Sequence, residues 1–478
     1  MVKNKYGNLL VSLLLFVGVN WAGAQGTTVF PIATNSAVIQ YIDGIAFDGT
    51  NYLVEMLTGT NASGVSNVVV QLVSASGALI GSQIVVGGGS SLQSAVGLAF
   101  GQTNYLVVWS DSTISSGVDM FGQFISRTGA KVGSAFNLLQ SQGSHGFQTV
   151  KALASDGTNF LTVWQDGNGE YYYGQLVAAA GTLSGSEFLI SDQTQGGSTS
   201  ARVMFGTTNY FVVWQSDNGI SEHAQAFGEL VSRNGSPGNP FQIGQTASTD
   251  ESQVGGVAAA FDGTNYLAIW MWNPGPETGG SVTNWQVYGR LISQTGTFPG
   301  SELVLTTNRD QVIPSLAFDG ANYLLSFGYD SNTTNSDANL VCEFLDRSGS
   351  ELGVQFTPFA AQGTNLPLFA LNGILFDGTR YAIAGTVGSL GVNGEVFGAF
   401  IPASTTPPTL APTGSLAGTA FPLLLTGTPG INYAIQVSTN LSVNNWSAIV
   451  TNSPTHGTFS FTDTSASNKS RFYRAVKQ

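Results

Sequence analysis

The sequence predicts an all-β protein, a seven-bladed β-propeller of four-stranded blades followed by a small C-terminal β-sandwich of immunoglobulin or fibronectin type. Three observations carry that prediction. One phrase, of the form FDGTNYLVVW, recurs seven times at intervals of 50 to 58 residues. Its second half is apolar on both faces. No helical periodicity appears anywhere to supply the helices that a buried parallel sheet would need.

The repeat is marked by an aromatic at Tyr52, Tyr105, Phe160, Tyr210, Tyr266, Tyr323 and Tyr381. In each unit a first strand with small residues near its end, such as Gly97 and Ala99, leads into a Gly- and Asn-containing turn. Such residues tolerate the positive φ of tight hairpins. The second strand, typified by Tyr105 to Trp109, is apolar throughout and must be covered on both sides, as between neighbouring blades. A third strand follows in the pattern MFGQFISRTG from Met120, and a fourth in the pattern SAFNLL from Ser134. The seventh unit has no fourth strand after Ile401. Thr28 to Ile32 carries the matching pattern, so residues near 27 to 33 are expected to complete blade seven and leave no open edge.

Lys3 and Lys5, the apolar run Leu9 to Val19 and Ala22-Gly23-Ala24 read as a cleaved export signal over residues 1–24. No later stretch is apolar enough to span a bilayer after cleavage. The expected organisation is then a propeller over 25–404, a Pro-containing linker at 405–411 and the sandwich over 412–478. The protein is expected to be secreted or held at the cell surface, and monomeric. Cys342 is the only cysteine, so no intrachain disulfide forms, and its apolar surroundings predict a buried thiol.

Only 9% of the 478 residues are charged, and the net charge is -13. With 15 basic residues and no basic cluster, nucleic acid is excluded as a partner. His145, His223 and His456 have no metal-ligand spacing. No nucleophile elbow, zinc-protease or phosphate-loop motif is present.

The segment GINYAIQVSTNLSVNNWSAIVTN, with FSFTDTSASNKSRFYRAVKQ, resembles a C-terminal module of exported proteins from Verrucomicrobia and related bacteria. Tyr433, Ser438, Leu441, Trp446, Phe461, Asp463, Phe472, Tyr473 and Arg474 carry the match. The propeller phrase is similar to the tandem repeats of secreted bacterial surface proteins. These resemblances imply fold and export and leave reaction and ligand open.

Chemistry is expected on one rim, in the long connections between second and third strands. Trp272 and Trp285 flank the longest of these and fall outside the repeat. Tyr171 and Tyr172 join them as ligand-contact candidates. Asp111, Asp166, Asp217 and Asp330 are candidates for a Ca²⁺ site, since calcium takes several oxygen ligands. The alternative for these acids is turn formation. No other cofactor is indicated. The repeated turn aspartates (Asp48, Asp156, Asp262, Asp319, Asp377) read as turn stabilisers. Trp109, Trp164, Trp214 and Trp270 read as packing between blades. Glu55 stands where the second unit has Val108, and Arg380 on the neighbouring seventh unit is a conceivable partner. The leading functional expectation is a noncatalytic binding module for glycan or another cell-envelope component. A polysaccharide hydrolase or lyase built on a carboxylate pair, and a structural scaffold, are the alternatives.

Overall fold

The computed structural model describes residues 27–478 apart from 35–38, 60–65, 89–92, 112–118, 140–148, 167–170, 192–196, 217–224, 245–252, 274–284, 307–310, 330–338, 354, 360–367, 390–391, 405–407, 416–418, 429–430, 440–444, 455–456 and 467–470. The expected export signal and all three histidines therefore lie outside the described residues. Seven antiparallel sheets follow one another along the chain as blades. Blade one consists of Ile39–Phe47, Asn51–Gly59, Ser66–Ser74 and Leu79–Gly87, running from the axis outward. Blades two to five repeat this order, the outer strand shrinking to Phe241–Gln242 and Leu303–Val304 in blades four and five.

Two blades depart from the pattern. In blade seven the fourth position is filled by Thr28–Ala33, which pairs antiparallel with Val392–Pro402, Thr28 opposite Phe400. The first strand of the propeller thus joins its last blade. In blade six the sheet holds three strands, Gln311–Phe318, Tyr323–Tyr329 and Asn339–Leu345. The fourth strand expected of this blade is reduced to bridges from Leu345 to Glu351 and from Cys342 to Phe356.

The sandwich covers that place. Its two three-stranded sheets are Thr409–Pro412, Phe421–Thr426 and Thr458–Asp463, and Ser447–Asn452, Tyr433–Ser438 and Phe472–Lys477. The stretch expected as linker, 405–411, overlaps its first strand. Prolines are tolerated there because Thr409–Pro412 is an edge strand, pairing only with Phe421–Thr426. Gly353 bridges Ile431, and Thr428 Oγ1 donates to the Ala403 carbonyl at 2.8 Å. One apolar cluster runs from Cys342, Phe344 and Phe356 through Tyr381 and Ile401 to Ile431 and Tyr433. Propeller and sandwich share a core.

The repeat phrase has a part-by-part physical meaning. The turn aspartate accepts two backbone N–H groups through Oδ1, from Thr50 and Asn51 in blade one at 2.7 Å each. Asp156, Asp262, Asp319 and Asp377 repeat the arrangement. The second-strand tryptophans are buried, each stacked on an aromatic of the third strand, Trp164 on Tyr173 at 4.5 Å being the closest. The third-strand glutamines are buried too. The Gln71 amide faces the carbonyls of Leu72, Ile80 and Gly81, and Gln123 and Gln175 do the same in blades two and three.

In five of the seven blades the second-strand tyrosine ties its blade to the one before it. Tyr105, Tyr210, Tyr266 and Tyr381 donate to the turn carbonyls of Asn51, Asn159, Asn209 and Asn322 at 2.8 to 3.1 Å. Tyr52 donates to Asp377 of blade seven and so carries the same tie across the closure. Replacing Tyr105 by Phe leaves the packing and removes one such bond. The expected loss is about 1 kcal/mol, read as a lower denaturation midpoint at unchanged slope.

Candidate functional site

The axis of the propeller is crowded, which is why its inner strands are rich in small residues. A Cβ added at Gly97 would lie 2.8 Å from the Leu153 side chain, and one at Gly373 would lie 2.4 Å from Ile45. Against that background, three charged residues on inner strands stand out. Asp43 belongs to blade one, Lys151 to blade three (Thr149–Ser155) and Arg202 to blade four (Gly197–Phe205). Together they line a cavity of about 170 Å³, framed otherwise by Gly44, Ile45, Gly97, Leu98, Ala152, Leu153 and Val203.

Local backbone geometry puts them there. The pairing of inner with second strands shifts between Ile42 and Gly44, and between Val150 and Ala152. Asp43 and Lys151 are the extra residues of these two bulges, and a bulge re-aims the side chain it carries. Each is anchored by the preceding blade. Thr386 Oγ1 accepts the Ile42 N–H at 2.8 Å, and Ser110 Oγ accepts that of Val150 at 3.0 Å. Arg202 arrives differently: it pairs with Val213 where other blades place Gly44, Gly97 or Gly373. Its Nη1 donates to the Ala201 carbonyl at 2.9 Å.

The electrostatics are those of a partly dry site. Burial, then the nearby Arg202 charge, lower the Lys151 pKa. Burial lowers that of Arg202, and the Asp43 charge opposes the shift. Lys151 is half-buried and makes no hydrogen bond or ion pair with any described residue. Just behind the wall stands Glu55, fully buried, with neither carboxyl oxygen hydrogen-bonded. Its Oε2 is 3.3 Å from where a Gly44 Cβ would sit, so glycine there makes room for the carboxyl group. Burial, then Asp43, push the Glu55 pKa well above the usual carboxylate range. Arg380 does not reach Glu55. It pairs with Asp377 at 3.3 Å, and its guanidinium lies over the Phe400 ring.

The residues singled out from sequence are placed as follows. Tyr172 is fully buried, its ring 6.1 Å from that of Trp214 in the next blade. It is a packing residue, because its place in the third strand turns it into the interface between blades, and it leaves the ligand-contact set. Tyr171 is half-buried, 6.3 Å from Tyr173. Trp272 is half-buried and edge-on to Tyr288 at 4.8 Å, and Trp285 is half-buried at the start of the next strand. Asp166 is buried in a loop closure: its Oδ1 accepts the Tyr171 N–H at 3.2 Å and its own N–H donates to the Tyr171 carbonyl at 3.1 Å. Asp111 is half-buried at a strand end, opposite Asp119 and Gln93. Asp217 and Asp330 lie outside the described residues. Among the described residues no three His, Cys, Asp or Glu side chains gather as a metal site. No described helix is long and apolar enough to cross a membrane.

Asp43, Lys151 and Arg202 escaped the sequence reading. Their signal was available: charges in the one strand type otherwise built of small and apolar residues.

No protein-family model and no curated protein matches the chain. Solved structures share its fold at low identity. The β-propeller domain of the trilobed protease from Pyrococcus furiosus is 10% identical, with a TM-score of 0.45, over 76% of this chain and 93% of that one. A protein of unknown function from Dyadobacter fermentans is 10% identical, with a TM-score of 0.44, over 78% and 98%. An α-L-arabinanase from Penicillium chrysogenum is 13% identical, with a TM-score of 0.37, over 63% and 90%.

Proposed function

We propose that the protein is an exported bacterial binding module, secreted or displayed at the cell surface, that takes a glycan at the propeller axis. One observation supports this reading above the others: three charged side chains from three blades converge on one cavity, and one of them, Lys151, has no partner among the described residues. An unpaired ammonium in a half-dry setting costs stability, and proteins accept that cost at sites that meet ligands. Many of the repeated polar groups, by contrast, serve turns, blade ties and buried amides. The half-buried rings of Trp272, Trp285 and Tyr171 stand at or beside strand ends.

The test is depletion of the mature protein by a panel of insoluble and soluble polysaccharides, with and without Ca²⁺. Retention on one polymer is expected, and it should fall at least tenfold in Lys151→Ala. Retention that ignores the substitution moves the site off the axis.

A second reading, hydrolysis, is favoured by a single feature. Glu55, whose pKa burial pushes well above the usual carboxylate range, and the nearby Asp43 are two carboxyl groups in unlike environments, the arrangement that separates an acid from a base. Release of reducing ends from the retained polymer, abolished in Glu55→Gln, would establish it. Retention without release supports the binding reading.

A further inference from the structure

We propose that the axial cavity is an anion subsite, and that Lys151 and Arg202 hold the carboxylate of an acidic sugar residue. The inference rests on the reading of the axis as the binding site and names the ligand class for it. Among the described residues three formal charges line the cavity: two positive, Lys151 and Arg202, and one negative, Asp43. The sum is one excess positive charge, in a protein whose net charge is -13. A monoanion brings the cavity to neutrality, whereas a dianion such as a phosphate monoester overshoots it. Of the two cations, Arg202 donates to the Ala201 carbonyl and lies in the field of Asp43. Lys151 is not committed at all, and its three donors lack an acceptor among the described residues. A buried or half-buried cation attracts a counter-charge strongly, because the surroundings screen it poorly.

Shape points the same way. The cavity of about 170 Å³ is smaller than a pocket for a drug-sized ligand. It suits one sugar ring or a chain end. Gly44 and Gly97 bring bare backbone into its wall, so a ring hydroxyl can approach peptide groups directly. The bulge anchors at Thr386 and Ser110 fix the backbone next to Asp43 and Lys151.

The experiment is titration calorimetry of the full mature chain with four probes: glucuronate, its methyl ester, glucose and glucose 6-phosphate. Glucuronate is expected to bind at least tenfold more tightly than the ester and glucose. Its binding should be lost in Lys151→Met and regained in part in Lys151→Arg. Lys151 carries the test because it bonds to no described residue, so its removal is expected to leave the blades intact. Tighter binding of the phosphate than of glucuronate overturns the monoanion assignment. If ester and glucose match glucuronate, and binding survives Lys151→Met but is lost when Lys151→Trp fills the cavity, the anion subsite is wrong and the axial reading stands. If no probe binds and polymer retention is unchanged in Lys151→Trp, both fall.

Discussion

Glu229→Gln is expected to stabilise the protein by several kcal/mol at pH 8 and to change little at pH 5. Glu229 occupies the third-strand position held by Gln71, Gln123 and Gln175 in the first three blades. It is 1% exposed and neither of its oxygens has a hydrogen-bond partner. Burial raises its pKa from 4.5 to about 8. Between those values the folded protein keeps a proton that the unfolded chain has released, so stability falls as pH rises. The slope is about 1.4 kcal/mol per pH unit, and the whole interval amounts to about 5 kcal/mol. Below pH 4.5 both states are protonated and the effect vanishes. Glu343, raised to about 7, and Glu55 add to the same trend. Glutamine has nearly the same shape and no charge to desolvate. Urea denaturation of both proteins across pH 5 to 9 checks the prediction. Parallel curves for wild type and variant would show that Glu229 ionises without penalty.

Phe30→Ala is expected to cost about 3–5 kcal/mol, the range for a buried aromatic truncated to a methyl group. Phe30 lies in the strand that completes blade seven. Its ring sits 4.6 Å from that of Phe400 and fills the space above Gly398, where a Cβ would come within 2.3 Å of it. It also covers Gly77 of blade one, whose positive φ of 84° favours glycine in any case. One side chain thus plugs the seam between the first and last blades. Val304, 52% exposed on the outer strand of blade five, is the control, and its truncation should cost under about 0.5 kcal/mol. Equal midpoints for the two variants would show that the seam does not limit stability.

The fold was legible because the sequence repeats, and a repeat averages out local ambiguity. Tyr105 or Trp109 alone could belong to many strands, but the same pair at seven regular intervals defines blades. The turn aspartates and the tryptophans were read correctly for the same reason: a residue repeated at one position answers a demand of the architecture. The strand Thr409–Pro412 was missed because prolines usually break strands, and only its edge position permits them. The short outer edge of blade six was missed because the sandwich, not the local sequence, supplies its cover. The axial charges were missed for the converse reason. Lys151 and Asp43 owe their placement to one extra residue in a strand pairing, and a bulge leaves no mark in an apolar pattern. Tyr172 erred in the other direction, since three adjacent tyrosines look like a surface platform while alternation along a strand buries the middle one.

The pairing of Thr28 with Phe400 also sets an order of events in time. The partners are 400 − 28 = 372 residues apart. At a synthesis rate of about 5–20 residues per second, the first strand waits about 20–75 s for the last blade to exist. Through that interval its backbone donors and acceptors have no sheet to join, and six blades can already stand. The edge that the finished ring abolishes is therefore exposed longest in the making, and the chain's earliest strand is the last to be placed.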